Sequence, residues 1–327
     1  MQTIQSHPST AAQPLVSFII PVFNVPSDML KECIESIRQL TLRTFEREII
    51  IVDDGSDQMP TDILADDIIY IRKRNEGVAT ARNIGLKMAS GKFIQFIDGD
   101  DMLCQVAYEH VLDMTRYTDA DMVMFDFTES GKPVLKYNDD EPMTGSELLR
   151  KSNIHGSAWG YLFKRSIIGD LRFTPGIEYG EDEEFTPQLL LRAERVYRTT
   201  AKAYHYRFRP TSAIHQTDAR KTLKRLNDSK DVIYGLYAKY DKIPYAERLA
   251  LQRRVAQLTM DYIYNVIVMT QNRHYLNRQL EELKGKGLFP LPDQNYTKKY
   301  TWFRRMTNSS IGISIMMRTL PLMNRER

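Results

Sequence analysis

Three carboxylates crowd the tetrapeptide Asp98-Gly99-Asp100-Asp101, directly after the run Phe93-Ile94-Gln95-Phe96-Ile97. β-Branched and aromatic residues in such a run read as a buried strand. Ionised carboxylates this close repel one another. A divalent cation removes the conflict, because hard metals take oxygen ligands and bring the opposing charge. Open α/β sheets bind ligands at the carboxyl ends of their strands, so acids and a cation there suit a phosphate-bearing molecule. The same four residues also fit a solvated Asp-Gly turn.

Two earlier strands deliver further candidates. Val16–Ile20 leads into Pro21-Val22-Phe23-Asn24, and Glu48–Val52 leads into Asp53-Asp54-Gly55-Ser56. In a parallel sheet both loops share an edge with the acid cluster. Phe23 can pack on a planar base or fill the core. Asp54 can accept a hydrogen bond from a base N–H or belong to a turn. Asn75-Glu76-Gly77 and then Arg82 follow. The guanidinium suits phosphate or a base carbonyl, and equally an ion pair with Asp53 or Asp54. The last acidic element is Gly180-Glu181-Asp182-Glu183-Glu184-Phe185. A carboxylate there can serve as a general base. Acids also complement a helix N-terminus, which is the reading for Glu183 and Glu184.

The elements that must position these residues alternate strand-like and helix-like patterns over the first ~130 residues, as in α/β architecture. Ser27 is expected to cap a helix with Leu30, Cys33, Ile34, Ile37 and Leu40 on its apolar face. Ile68–Ile71 reads as a strand, 77–89 as a helix stopped by Gly91, and Met122–Phe127 as another strand. Residues 131–143 read as a loop, Thr144-Gly145-Ser146-Glu147 as a capping box, and 173–185 as an acidic loop. After Asp218 two apolar faces keep the helical period, Leu223, Leu226, Ile233, Leu236 and Tyr240, then Leu251, Val255, Leu258, Tyr262, Val266 and Met269. The expected organisation is a disordered tail over 1–14, an α/β domain over 15–215, and a helical segment over 216–327.

Composition narrows the function classes. Charged residues make up 27% and hydrophobic ones 42% of 327 residues, as in ordinary globular chains. The net charge of +3 is too small to argue for nucleic acid. Cys33 and Cys104 form neither a disulfide framework nor a zinc pattern. No run approaches ~18 apolar residues. The tail Lys298-Lys299-Tyr300-Thr301-Trp302-Phe303-Arg304-Arg305 interleaves bases with aromatics, and Ile311 to Met317 is mostly apolar. Such a segment either lies on an anionic membrane surface or docks as a terminal helix.

Taken in order, "VSFIIPVFN" at 16–24, "IIIVDDGSD" at 49–57, "NEGVATARNIGLKMASGKFIQFIDGDD" at 75–101, "AWGYLFKRSII" at 158–168 and "GEDEEF" at 180–185 resemble the family 2 glycosyltransferases. The resemblance implies a GT-A fold: a Rossmann-like, mostly parallel sheet flanked by helices. It implies a nucleotide-binding half over about 15–130 and an acceptor half over about 131–215. Asp98 and Asp100 map to the Asp-x-Asp motif, Asp100 on a divalent cation (Mn or Mg) and Asp98 on the ribose or the metal's water shell. Asp54, Pro21, Phe23, Asn75 and Arg82 would surround the nucleotide. Asp182 would be the catalytic base, supported by Glu181, and Trp159 would shape the donor–acceptor pocket.

The implied reaction is inverting transfer from a nucleotide-sugar, a UDP-sugar by the family's commonest use, to a hydroxyl of a polysaccharide or lipid-linked glycan. A cytoplasmic enzyme touching the inner membrane face, and a homo-dimer, are the accompanying expectations. Gly160-Tyr161 departs from the Asn-Lys of many relatives, on the acceptor side. His205 and His215 are candidates for a third metal ligand. Two competitors fit less well. A sugar nucleotidyltransferase needs a Gly-rich basic loop where this chain has Pro21-Val22-Phe23-Asn24. A receiver-like magnesium-binding module is shorter and lacks the Glu-Asp motif. A dinucleotide-binding dehydrogenase is disfavoured, because no Gly-x-Gly-x-x-Gly follows the first strand.

Overall fold

A computed structural model describes residues 13–130, 136–207 and 218–325. Residues 1–12 of the expected tail, 131–135 of the expected loop, and His215 lie outside them. The chain folds as two compact units. Of the described residues, the first holds 13–130, 136–142, 158–176 and 195–207, and the second 143–157, 177–194 and 218–325.

The first unit is α/β. Its elements are β1 (Val16–Val22), α1 (Ser27–Arg38), β2 (Arg47–Asp53), β3 (Ile68–Arg72), α2 (Val78–Met88), β4 (Phe93–Phe96), β5 (Met102–Leu103), α3 (Gln105–Tyr117) and β6 (Met122–Thr128). The chain then contributes α4 (Gly145–Lys151) to the second unit, returns as β7 (Tyr161–Lys164), leaves again as α5 (Glu181–Leu190), and returns as β8 (Val196–His205). The sheet order is β3-β2-β1-β4-β7-β6-β8-β5. β3, β2, β1 and β4 are mutually parallel, β7 is antiparallel to both β4 and β6, and β8 runs parallel to β6.

β1 is buried along its whole length, as a strand covered on both faces must be. Val16, Phe18, Ile20 and Val22 join the core with Leu30, Ile34 and Ile37 of α1 and Val111 and Leu112 of α3. Ile19 points the other way, toward α2 at Gly85, where an added Cβ would stand 2.2 Å from the Ile19 side chain. Only glycine lets the helix lie that close to the sheet. Each large side chain fully buried here contributes roughly 1.5–3 kcal/mol.

Three local expectations change. Pro21 lies inside β1, opposite Val52, rather than on the loop beyond it. Pairing of β1 with β4 ends at Ile19 and Phe96, so the missing proline N–H interrupts no bond on that side. Ser27 is the first residue of α1 and not its cap; Pro26 holds the cap position, and the Ser27 hydroxyl donates to Asp62 at 3.0 Å. The acidic stretch read as loop becomes helical from Glu181.

The second unit is helical. α4 and α5 join α6 (Ala219–Tyr237), α7 (Tyr245–Thr270), α8 (Arg273–Gly285), α9 (Lys298–Thr307) and α10 (Ser310–Arg325). Its core gathers Leu226, Ile233 and Leu236 of α6 with Leu251, Val255, Ile263 and Ile267 of α7 and Leu276, Leu283, Tyr300 and Met316. The capping box of α4 is formed: Thr144 Oγ1 accepts from Glu147 N–H at 3.2 Å, and Glu147 Oε2 accepts from Thr144 N–H at 3.3 Å. Among the described residues no helix is long and apolar enough to cross a membrane.

Candidate active site

β1, β2 and β4 end at one edge of the sheet. Neighbouring strands lie about 4.8 Å apart, so β2 and β4, flanking β1, deliver their loops about 10 Å from each other. Asn24, in a left-handed conformation at φ 51°, ties the first two loops together. Its N–H donates to Ser56 Oγ at 2.9 Å, its Oδ1 accepts from Asp57 N–H at 2.9 Å, and its Nδ2 donates to Asp57 Oδ2 at 3.2 Å. Phe23, beside it, is 50% exposed and not a core residue.

The Asp53-Asp54 pair is buried and committed to the loops. Asp53 accepts from Tyr70 Oη at 2.6 Å and from Ser56 N–H at 2.8 Å. Burial opposes its ionisation, but these bonds outweigh burial and hold its carboxyl below the usual range. Asp54 pairs with Lys73 and accepts the N–H groups of Glu76 at 3.0 Å and Gly77 at 2.8 Å. The carboxylate thus shapes the 73–77 turn that presents the exposed Asn75. Gly55 lets that turn close: at φ +84° its missing Cβ would sit 2.9 Å from the Asn75 nitrogen.

Arg82 meets neither Asp53 nor Asp54. From α2 it reaches Asp98 Oδ1 at 3.1 Å. It is buried, with its guanidinium 5.4 Å from the Phe173 ring centre and 5.9 Å from that of Phe96. An arginine held this way is a rigid donor fork next to a half-buried carboxylate.

The acid cluster divides by burial. Asp98 and Asp100 are partly exposed, whereas Asp101 is 1% exposed. Asp101 accepts from Tyr204 Oη at 2.8 Å and from Arg207 N–H at 2.7 Å. Burial, followed by the charge of Asp98, nevertheless pushes its carboxyl up to about 8, with Asp100 adding to the shift. Burial and the same charges also raise the Tyr206 hydroxyl. Arg207 reinforces the turn: its side chain donates to the Asp100 carbonyl and, at 3.0 Å, to that of Met29, and it pairs with Glu32.

Trp159 lines this cluster from β7's side. It stacks on Tyr204 at 4.3 Å and 10°, meets Phe127 edge-on at 5.3 Å, and accepts from Gln95 Nε2 through its carbonyl at 2.8 Å. The Tyr204 hydroxyl in turn accepts from Asp98 N–H at 3.1 Å. His205 closes β8 opposite Met102 and Thr128.

Glu181 and Asp182 open α5 in the second unit. α5 has no side-chain cap. Its first turn, Glu181 to Glu184, is wholly acidic and complements the positive end of the helix. Asp228 of α6 is buried and accepts from Glu178 N–H at 2.9 Å and Tyr179 N–H at 3.2 Å, fixing the approach to Asp182. Glu183 pairs with Arg254 of α7, and Thr186 Oγ1 donates to the Gly156 carbonyl at 3.0 Å.

Sequence reasoning quoted Asn24 and Asp101 within their motifs but gave neither a role of its own, and it left out Lys73, Tyr204 and Arg207 in the first unit and Asp228 and Arg254 in the second. Lys73 and Arg207 were in reach of a closer reading, since each is a cation within two residues of a strand's end.

Among the described residues no group of three His, Cys, Asp or Glu side chains is arranged to hold a metal ion. Asp98 and Asp100 still fit one. They offer partly exposed hard oxygen donors two residues apart, and magnesium-type ions commonly take one or two carboxylates and complete their shell from substrate phosphates.

The fold has counterparts among solved glycosyltransferase structures. The chain superposes on the crystal structure of S. aureus TarS 1–349 in complex with UDP-GlcNAc, with a TM-score of 0.66 over 95% of this chain and 92% of that one, at 17% identity. It also superposes on the mannosyltransferase PcManGT from Pyrobaculum calidifontis in complex with GDP-Man and Mn2+, with a TM-score of 0.54, 14% identity, and coverage of 93% and 86%. The fold is that of the GT-A glycosyltransferases. Residues 17–171 match the family model described as glycosyl transferase family 2. Over 220 residues the chain is 30% identical to the uncharacterized glycosyltransferase EpsJ of Bacillus subtilis (strain 168), covering 61% of this chain and 62% of that protein's length. Over residues 17–171 the chain is thus similar to glycosyl transferase family 2, and it spans about three fifths of the length of EpsJ.

Proposed function

We propose that this protein transfers a sugar from a nucleotide-sugar to an acceptor hydroxyl of a polysaccharide or lipid-linked glycan, with inversion at the anomeric carbon. The observation that carries the reading is the sheet edge itself. Exposed Phe23 and Asn75, the Asp54-shaped turn, and the Arg82–Asp98 pair stand beyond the neighbouring strands β1 to β4 at one edge of the sheet, within about 15 Å by strand spacing. That arrangement suits a base on one side and a cation-bound diphosphate on the other. The TarS complex with UDP-GlcNAc supports a UDP-linked donor, and the PcManGT complex with Mn2+ supports a divalent cation.

Asp98 and Asp100 would hold the cation, which when bound offsets charge on the departing diphosphate. Arg82 pairs with Asp98 and orients it. Trp159, braced on Tyr204, walls the sugar. Asp182 takes the proton of the acceptor hydroxyl. The oxygen forms its bond to the anomeric carbon as the bond to the diphosphate breaks on the opposite face, and the nucleoside diphosphate leaves. Glu181 supports Asp182 on the same turn, and Asp228 fixes that turn from α6.

A thermal-shift screen of UDP- and GDP-sugars with and without Mn2+ tests the reading, since a ligand that binds only the folded state raises the midpoint. A rise that needs both nucleotide-sugar and Mn2+ is expected. No shift with any pair would overturn the proposal.

A further inference from the structure

α9 and α10 turn one face into the helical core and leave the other outside. Tyr300, Phe303, Ile313, Met316 and Leu320 are buried. The outer face of α9 carries Lys298, Trp302 and Arg305, spaced by four and three residues and therefore aligned on one side of the helix. The outer face of α10 carries Ile311, Ile315, Arg318 and Leu322 at the same spacing. Ile311 is 75%, Leu322 61% and Trp302 48% exposed. Large apolar side chains repeated along one exposed face are not left to water without a use.

Charge says what covers them. Between residues 298 and 325 there are six Lys and Arg and no Asp or Glu. A face made of Trp, Ile and Leu with cations interleaved matches an interface in which acyl chains lie beneath anionic headgroups. A protein partner of equal fit would need both an apolar groove and a row of acids.

We infer that the outer faces of α9 and α10 dock this protein on an anionic lipid surface, Trp302, Ile311, Ile315 and Leu322 entering the headgroup boundary while Lys298, Arg305 and Arg318 meet lipid phosphates. Neither helix supplies a residue to the proposed transfer site, so the inference stands or falls apart from that reading.

Sedimentation of the full chain with phosphatidylcholine vesicles, with and without phosphatidylglycerol, tests it. Binding is expected to the anionic vesicles at low salt and to fall as salt rises. The triple change Ile311→Ser, Ile315→Ser and Leu322→Ser alters solvent-facing positions only and should release the protein from vesicles. Replacing Lys298, Arg305 and Arg318 by Gln should weaken binding by about fivefold per cation. Quenching of Trp302 emission by brominated lipid, absent in Trp302→Phe, gives a readout in the otherwise unmodified protein. A parent chain that stays in the supernatant with both vesicle types at low salt overturns the inference. So does a serine variant that sediments as the parent does. A dimer that dissociates in that variant, with no vesicle binding by the parent, would assign the face to a second copy of the chain instead.

Discussion

Two segments of this protein are dense in acid, with three carboxylates in four residues and four in four, and they resolve the density differently. Asp98 to Asp101 follows a strand; Glu181 to Glu184 opens a helix. In the helical segment the repulsion meets two opposing terms: the dipole of α5, and the Arg254 guanidinium on Glu183. In the strand-end segment Tyr204 and Arg207 bond Asp101, and Arg82 pairs with Asp98, yet burial, and after it the charge of Asp98, pushes the Asp101 carboxyl up to about 8. Density of acid alone therefore does not set a carboxylate's state; its burial and its neighbours do.

The largest expected effect breaks the symmetry between the two segments. Asp182→Asn should lower transfer by about 10²–10⁴, the usual contribution of a general base, while nucleotide-sugar affinity is kept. Steady-state transfer rates beside calorimetric binding check this, and a wild-type rate would remove Asp182 from the mechanism. Asp100→Ala should act in the opposite sense, abolishing the Mn2+-dependent part of donor binding. Its loss should exceed the roughly 10–100-fold that removal of an outer-shell partner costs a metal site. Unchanged Mn2+ dependence in calorimetry would exclude Asp100 as a ligand.

Smaller effects sharpen the comparison inside the second unit. Glu183→Gln removes the partner of a buried arginine and should cost about 1.5–3 kcal/mol of stability in urea melts. Nucleotide-sugar affinity should not change, because this acid serves its helix. Thr144→Ala tests a helix that starts without acid surplus. It deletes the side-chain cap of α4 and should cost about 1 kcal/mol, again with donor binding intact.

Much of the first unit was legible because its signals are local. Continuous apolar runs gave β1, β2 and β4, and period-3.6 spacing gave α1, α6 and α7. The capping box at Thr144 carried its own geometry. The failures have local causes too. Pro26 took the cap position expected of Ser27, since a fixed φ suits the start of a helix as well as a hydroxyl does. Asp54 and Arg82 were read as neighbours because their types match. Instead Asp54 goes to Lys73 and two backbone N–H groups, while Arg82 crosses to Asp98. A boundary near residue 215 also describes a single cut, whereas the two units interleave along the chain.

Sequence alone determined which residue types stand at the strand ends, because hydrophobic period and turn chemistry are written in neighbouring positions. Five motifs in order carried the resemblance to family 2 glycosyltransferases, and residues 17–171 match that family's model. Only the tertiary structure decided which acids are buried and bonded within the fold. Asp101 is buried by Tyr204 and Arg207, more than a hundred positions later, and Asp53 by Tyr70 from the next strand. Burial and pairing depend on contacts between distant segments, and no spacing rule along one chain encodes them.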